Sequence, residues 1–341
     1  MSGMRWIVAW VLIAVPFGLG GCPFDLTDDD AGVAVLTSSG DVTTFDADGT
    51  SVAWSSPVGS VDFGDLLVDG GTVYVQSGGS TVLALDGADG SEVWAADIGG
   101  SAVGQLAILD DTLFVQTADD VVALDADSGA ELWSESFAGL SGAMATGEGA
   151  LFVAGNPVRR LDVASGAEDA SFDLGDPFVP GIGVTGGRVV VGGRYDVVSL
   201  MPGDLAEDWV QPLDDASCTG LAVDSGDVYV STDNIGLFGY DAGDPTPFMQ
   251  SLDDSALDPP AVAGGLVYVT ESFGDLFAID PASGEVSWSW DSSAEHRGGL
   301  AVRGTTLYLA DGSALVGIDA DAGTASWEQS PGGTIVAVAV F

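Results

Sequence analysis

Residues Ala123 to Trp133 read ALDADSGAELW. Alone, the stretch is the end of a strand, an acidic turn and the start of another strand, and its Asp-x-Asp pair invites a metal-loop reading. Its place in the chain decides otherwise, because the same wording returns at a fixed spacing. Aligned on Asp125, equivalent positions fall at Asp46, Asp86, Asp125, Asp162, Met201, Asp241, Asp280 and Asp319, at intervals of 37 to 40 residues. Eight residues beyond each stand Trp54, Trp94, Trp133, Ala170, Trp209, Met249, Trp288 and Trp327, so six of the nine tryptophans share one register. A period in this range is the signature of a repeat architecture.

Inside each unit the strand signals agree. The second unit reads LLVDGGTVYV and then TVLALDGADGSEVW; the seventh reads AVAGGLVYV and then GDLFAIDPASGEVSW. Short apolar or alternating runs are divided by Gly/Asp turns, and helical periodicity is absent beyond the first residues. Four short strands in about 39 residues make one propeller blade. The first unit starts at Val33 with what corresponds to a second strand, and nothing precedes it to serve as a first. After Trp327 the chain adds TIVAVAVF, Thr334 to Phe341, which matches the missing piece. The fold expected over residues 32–341 is therefore all-β: an eight-bladed β-propeller of four-stranded blades, closed by the C-terminal strand completing blade 1. Such closure leaves no open edge at the join.

The repeated pattern A-x-D-x-x-x-G-x-x-x-W is complete at Ala84–Trp94, Ala123–Trp133 and Ala278–Trp288. It is nearly complete at Gly317–Trp327, Thr44–Trp54 and Ser199–Trp209. It resembles the tryptophan-docking motif of PQQ-type, quinoprotein-like β-propellers, over about 310 residues. The residue chemistry supports a structural role beside that resemblance. Asp86, Asp125, Asp280 and Asp319 are placed to accept backbone N–H groups in the turn that follows. The glycine admits a positive φ. Trp54, Trp94, Trp133, Trp209, Trp288 and Trp327 supply apolar area and an indole N–H that needs a partner, and the small residue leaves room for a ring. Two units break the pattern. In the fourth, Arg160 replaces the small residue and Ala170 the tryptophan; in the sixth, Met249 replaces the tryptophan. Arg160 is expected to fill part of the gap left by the indole. Arg159 and Arg160 form the one basic pair and mark a candidate partner contact, with local packing and a salt link to an aspartate as the competing reading.

The first 22 residues, MSGMRWIVAWVLIAVPFGLGGC, differ from the rest. Arg5 gives a positive start, and the apolar run Trp6 to Phe17 has the length of a signal-peptide core and is short for a span. LGGC resembles the lipobox of bacterial lipoproteins, which implies cleavage after residue 21 and lipid modification of Cys22. Residues 22–31 then form an acidic tether that reaches about 30 Å at most. Pro23 after the cysteine resembles the default outer-membrane destination, on the periplasmic or the surface face. With Cys22 acylated, Cys218 is alone and no internal disulfide forms.

Fifty-two acids face seven arginines and no lysine, a formal net charge of −45. That excludes nucleic acid as a partner and keeps a propeller soluble and monomeric. Adaptation to high salt and an Asp-heavy turn vocabulary both account for it. The Asp-x-Asp-x-Gly strings lack the third ligand and distal Glu of a calcium loop, so no metal site is expected beyond weak calcium binding. His296 is the single histidine and offers no multi-histidine metal site. Paired carboxylates exist, but nothing singles one pair out. Enzymes of the resembled class hold PQQ with adjacent cysteines and a basic residue; this chain has neither arrangement, so no cofactor is expected.

Lipobox, short tether and propeller together resemble the BamB family of outer-membrane β-barrel assembly lipoproteins. The resemblance implies a non-catalytic, membrane-anchored scaffold whose protein partners belong to a β-barrel assembly complex. The alternative is a cell-surface binding or sensing propeller for a carbohydrate, peptide or cation. An enzyme is the third reading.

Overall fold

The structure is a computed structural model and describes residues 32–46, 48–59, 65–76, 79–176, 179–214, 216–252, 257–271, 274–292 and 299–341. The expected leader and tether, with Cys22, and His296 lie outside the described residues. The described residues fold into thirty-two strands and no helix. These form eight sheets of four antiparallel strands each. The sequence-based expectation of fold class and blade count stands.

Blade 2 shows the plan: an inner strand Leu66–Asp69, a second strand Thr72–Gln76, a third strand Thr81–Asp86 and an outer strand Glu92–Asp97. Blade 1 is assembled from both ends of the ring. Its inner strand is Ile335–Val340, which pairs with Val33–Thr37 in the register Val33↔Val340 and Leu36↔Ala337. The apolar content TIVAVAV supplies an inner strand that is mostly buried, and pairing it with Val33–Thr37 removes the edge that an open ring would expose.

Second strands are the most buried, because each lies inside its blade and between two neighbouring blades. Thr112–Gln116 and Leu266–Thr270 show four buried residues after a partly exposed first one. Outer strands alternate differently: in Glu131–Ser136 only Trp133 is buried. In seven of the eight blades the outer strand bulges just before the tryptophan position; in blade 2, Ala84 faces Trp94 while Leu85 faces Glu92, leaving Val93 between. A bulge twists an open edge and hinders pairing with a foreign strand. It also explains why Val93 and Leu132 are each 52% exposed.

The hub is uneven. Inner strands are long in blades 4 and 6, Leu140–Gly147 and Cys218–Asp224, and short in blades 3 and 7, Ala107–Leu109 and Ala261–Ala263. Glycine lets the long ones approach closely. A Cβ on Gly183 in blade 5 would lie 2.5 Å from Val223 and 2.8 Å from Leu221 of blade 6.

Antiparallel order gives the ring two faces. One, the turn face, carries the inner hairpins such as Gly70–Gly71 and the repeated Asp turns. The other, the loop face, carries the blade-to-blade crossovers. The described chain begins on the turn face, where Phe341 N–H donates to Gly32 O.

Candidate functional site

The repeated motif is built from the turn upward. In blade 3 Asp125 N–H donates to Ala130 O and Gly129 N–H to Asp125 O, both at 2.8 Å. The Asp125 carboxylate then accepts Ser128 N–H at 2.9 Å. Asp86 accepts from Ala88, Asp280 from Ala282, and Asp319 from Asp321 and Ala322. At Asp162 the Ser165 hydroxyl bonds the carboxyl as well, and that bond, with the backbone N–H groups of the turn, holds it below its ordinary range. Turn geometry thus engages the acids that looked like a metal loop. Among the described residues no three Asp, Glu, His or Cys side chains gather into a cation-binding group.

The tryptophans use those turns. Trp94 of blade 2 donates its indole N–H to Ala126 O of blade 3 at 2.8 Å, the residue directly after Asp125. Trp54 reaches Gly87 O, Trp133 Val163 O, Trp209 Ala242 O and Trp288 Ala320 O, each at 2.8 to 2.9 Å. Every one of these acceptors follows the motif Asp of the next blade. Gly129 has φ +69°, and a Cβ there would stand 2.6 Å from the Trp94 ring. The glycine is therefore required twice, for its backbone angle and for the neighbour's indole; only the first reason was readable from the turn alone. Trp327 of blade 8 lies against Gly49 in the same way, where a Cβ would fall 2.2 Å from its ring, so the docking runs across the join.

The small residue is the indole's cross-strand partner. Ala84 pairs with Trp94 on one side and with Tyr74 on the other. The two rings meet over the alanine with centroids 5.9 Å apart, tilted by 43°. Phe114–Trp133 and Tyr268–Trp288 repeat the distance. Tilted pairs of this kind contribute about 1 kcal/mol beyond area burial.

The two exceptional units are completed by other residues. In blade 4, Arg160 and Ala170 face each other across the outer pair. One blade on, the glycine position is Leu205, fully buried (1% exposed) and held at φ +54°. Leu205 belongs to the same apolar cluster as Ala170 and Phe172, so the space of the missing indole is filled from the next blade. Arg160 instead turns its guanidinium to Asp169. The turn survives the loss of both motif residues: Leu205 N–H donates to Met201 O at 2.9 Å. In blade 6 the role is divided. Phe248 covers Gly239, edge-on to Tyr229 at 6.2 Å, while buried Met249 faces Gly284 of blade 7. The sequence signal for the first exception was present: a glycine is lost at 205 one repeat after the tryptophan is lost at 170.

Arg159 and Arg160 separate in space. Arg159 is 6% exposed, lies 5.2 Å over the Phe137 ring, donates to Pro157 O and Ala138 O, and pairs with Glu168 at 3.2 Å. It ties blade 4 to the crossover from blade 3. Arg160 is the member that retains surface.

Two buried titratable groups, Cys218 and Asp65, are both shifted upward by burial. Cys218 begins the inner strand of blade 6, fully enclosed, and burial pushes its thiol up to about 12. It stands without a second cysteine in the ring, so the residues present do not fit a quinone cofactor held by adjacent cysteines. Asp65 lies at the start of the inner strand of blade 2. Its carboxylate accepts Leu66 N–H at 2.9 Å and Leu106 N–H of blade 3 at 2.6 Å. Burial raises its pKa to about 7 despite both bonds.

The sequence matches the family described as outer membrane protein assembly factor BamB, over residues 6–156, 154–247 and 248–340. No curated protein matches it. Several solved structures share the fold. Dihydro-heme d1 dehydrogenase NirN is 16% identical with a TM-score of 0.77, the match covering 98% of this chain and 79% of NirN. The computationally designed Ika8 protein is 14% identical with a TM-score of 0.76, covering 86% of this chain and 92% of the other. AztD from Citrobacter koseri is 14% identical with a TM-score of 0.74, covering 92% and 98%. At these identities the likeness is one of fold. A designed protein and a dehydrogenase share it, so the ring alone does not settle whether a member is catalytic.

Proposed function

The chain belongs to the family of outer membrane protein assembly factor BamB, and from that premise we propose that it is a non-catalytic, membrane-anchored scaffold propeller serving outer-membrane protein assembly. The observation that carries the reading is the family match across almost the whole ring, together with a motif whose polar groups are engaged between blades. The indole N–H groups and turn carboxylates that repeat most regularly meet backbone partners. Regular chemistry here holds the ring together, which leaves its loops and faces to partners.

Cys22 is the proposed lipidation site, with export and attachment at the outer membrane. The chain leaves the ring at Gly32 beside Phe341, on the turn face. A tether of residues 22–31 reaches about 30 Å at most, so this acidic face is nearer the bilayer and the loop face is offered outward to protein partners. With a net charge of −45, attachment rests on the lipid and not on surface charge, because anionic lipid repels the ring. No cofactor takes part in this reading.

Cys22→Ser in the full chain should move the protein from the membrane fraction to the soluble one; persistence in the membrane fraction overturns the anchor. Pull-down from detergent-solubilised membranes should recover β-barrel assembly components. Recovery of none of them, with a carbohydrate, peptide or cation raising the Tm instead, overturns the scaffold reading in favour of a surface-binding propeller.

A further inference from the structure

Of the fifty-two acids in the chain, Asp65 is the one buried acid among the described residues, at 7% exposed. An acidic surface explains the other described acids, which are all at least partly exposed, but not this one, since an unpaired carboxylate avoids the interior. Its position is particular. It precedes the inner strand of blade 2, its own carbonyl accepts Gln76 N–H at 3.0 Å, and its carboxylate crosses the seam to Leu106 N–H at the head of blade 3. The next seam is closed without a carboxylate, by Gln105 N–H to Gly142 O. Two N–H donors supply about half of the lone-pair sites an ionised carboxylate presents.

We propose that Asp65 is a proton-operated clasp at the hub, which holds blades 2 and 3 together while its carboxyl is protonated and loosens that seam when it ionises. Among the described residues no charged side chain offsets its burial; the shift has burial as its largest cause, opposed by the Leu106 and Leu66 bonds. The acids of the adjoining elements, Asp69 and Asp111, lie at the opposite, turn-face ends of those blades, where Asp111 acts on Asp69. Gln76 and Gln116, which end the adjacent second strands, are neutral and buried. Ionisation therefore places a net charge in an apolar seam, and hydration of that charge is gained only by parting the blades. The linkage sign follows. The folded chain holds the Asp65 proton more tightly than the unfolded chain, with a pKa of about 7 against 3.8. The stabilisation is complete below the unfolded value and is lost as pH rises through the folded one.

The test compares the full chain with Asp65→Asn at constant high ionic strength, which screens the surface acids alike in both. The Tm of the wild type should fall relative to the variant between about pH 5 and pH 8, and the protection factor of the Leu106 amide, which removes the intrinsic rise of exchange with pH, should fall over the same interval in the wild type only. A Tm difference that stays constant over that interval overturns the clasp. If Asp65→Asn does not fold, infrared titration of the wild type decides: one buried carboxyl C=O band must vanish with a midpoint near neutrality. Loss of every carboxyl band below about pH 5 overturns the proposal.

Discussion

The seam between blades 2 and 3 and the seam between blades 4 and 5 solve one packing problem in opposite directions. In the first, Trp94 reaches forward from blade 2 and Gly129 of blade 3 makes room. In the second, Ala170 of blade 4 is small and Leu205 of blade 5 reaches back, at φ +54°. The interface volume is kept while its ownership changes sides. Interiors tolerate volume-conserving exchange far better than gain or loss of volume. What the second seam gives up is the indole hydrogen bond, which is worth about 1 kcal/mol net.

This comparison can be broken by mutation. Trp94→Ala should be the most damaging change, at about 3–5 kcal/mol, since it opens a cavity and leaves Ala126 O with only the longer bond from the Tyr74 hydroxyl, at 3.3 Å; chemical denaturation measures it, and a loss below about 1 kcal/mol would sink the idea that indoles anchor the seams. Ala170→Trp should cost about 1–3 kcal/mol by overpacking against Leu205. Adding Leu205→Gly to it should restore most of that loss and yield a positive coupling in a double-mutant cycle. Additive effects would mean that Leu205 does not occupy the indole's place. Gly129→Ala sharpens the other side: the φ of +69° and the Trp94 ring oppose a Cβ, for a cost of about 2–3 kcal/mol.

Smaller effects separate the two arginines. Arg159→Ala should lower stability by about 1–3 kcal/mol, because Ala138 O and Pro157 O lose a charged donor inside the ring. Arg160→Ala should change it by less than about 1 kcal/mol. A variant that keeps its Tm but loses a partner in pull-down would mark Arg160 as a contact. The smallest change is Met201→Asp. It restores the motif acid to a turn that closes without it, and should alter the unfolding free energy of the ring by no more than about 0.5 kcal/mol, measured by chemical denaturation.

The architecture was legible because a ring repeats its constraint. One Asp-to-Trp interval recurring through the chain counts the blades, and the unpaired first unit at Val33 with the surplus TIVAVAVF predicts the closure that Val33↔Val340 pairing makes. The docking direction was less legible. The spacing within one unit shows that Trp94 follows Ala84, but not that its N–H ends on Ala126, 32 residues away. Asp65 carried no signal at all, since one aspartate among so many looks like surface until its neighbours are in place.

The sequence by itself determined the period, the blade count, the acidity and the turn chemistry, because these depend on residues near one another along the chain or on their repetition. Only the tertiary structure decided which blade supplies the filling at each seam, that Leu205 answers Ala170, that Arg159 lies inside, and that Asp65 is buried against Leu106. Those are properties of contact between segments distant in sequence, where shape and exclusion of water, not residue type, set what each side chain does.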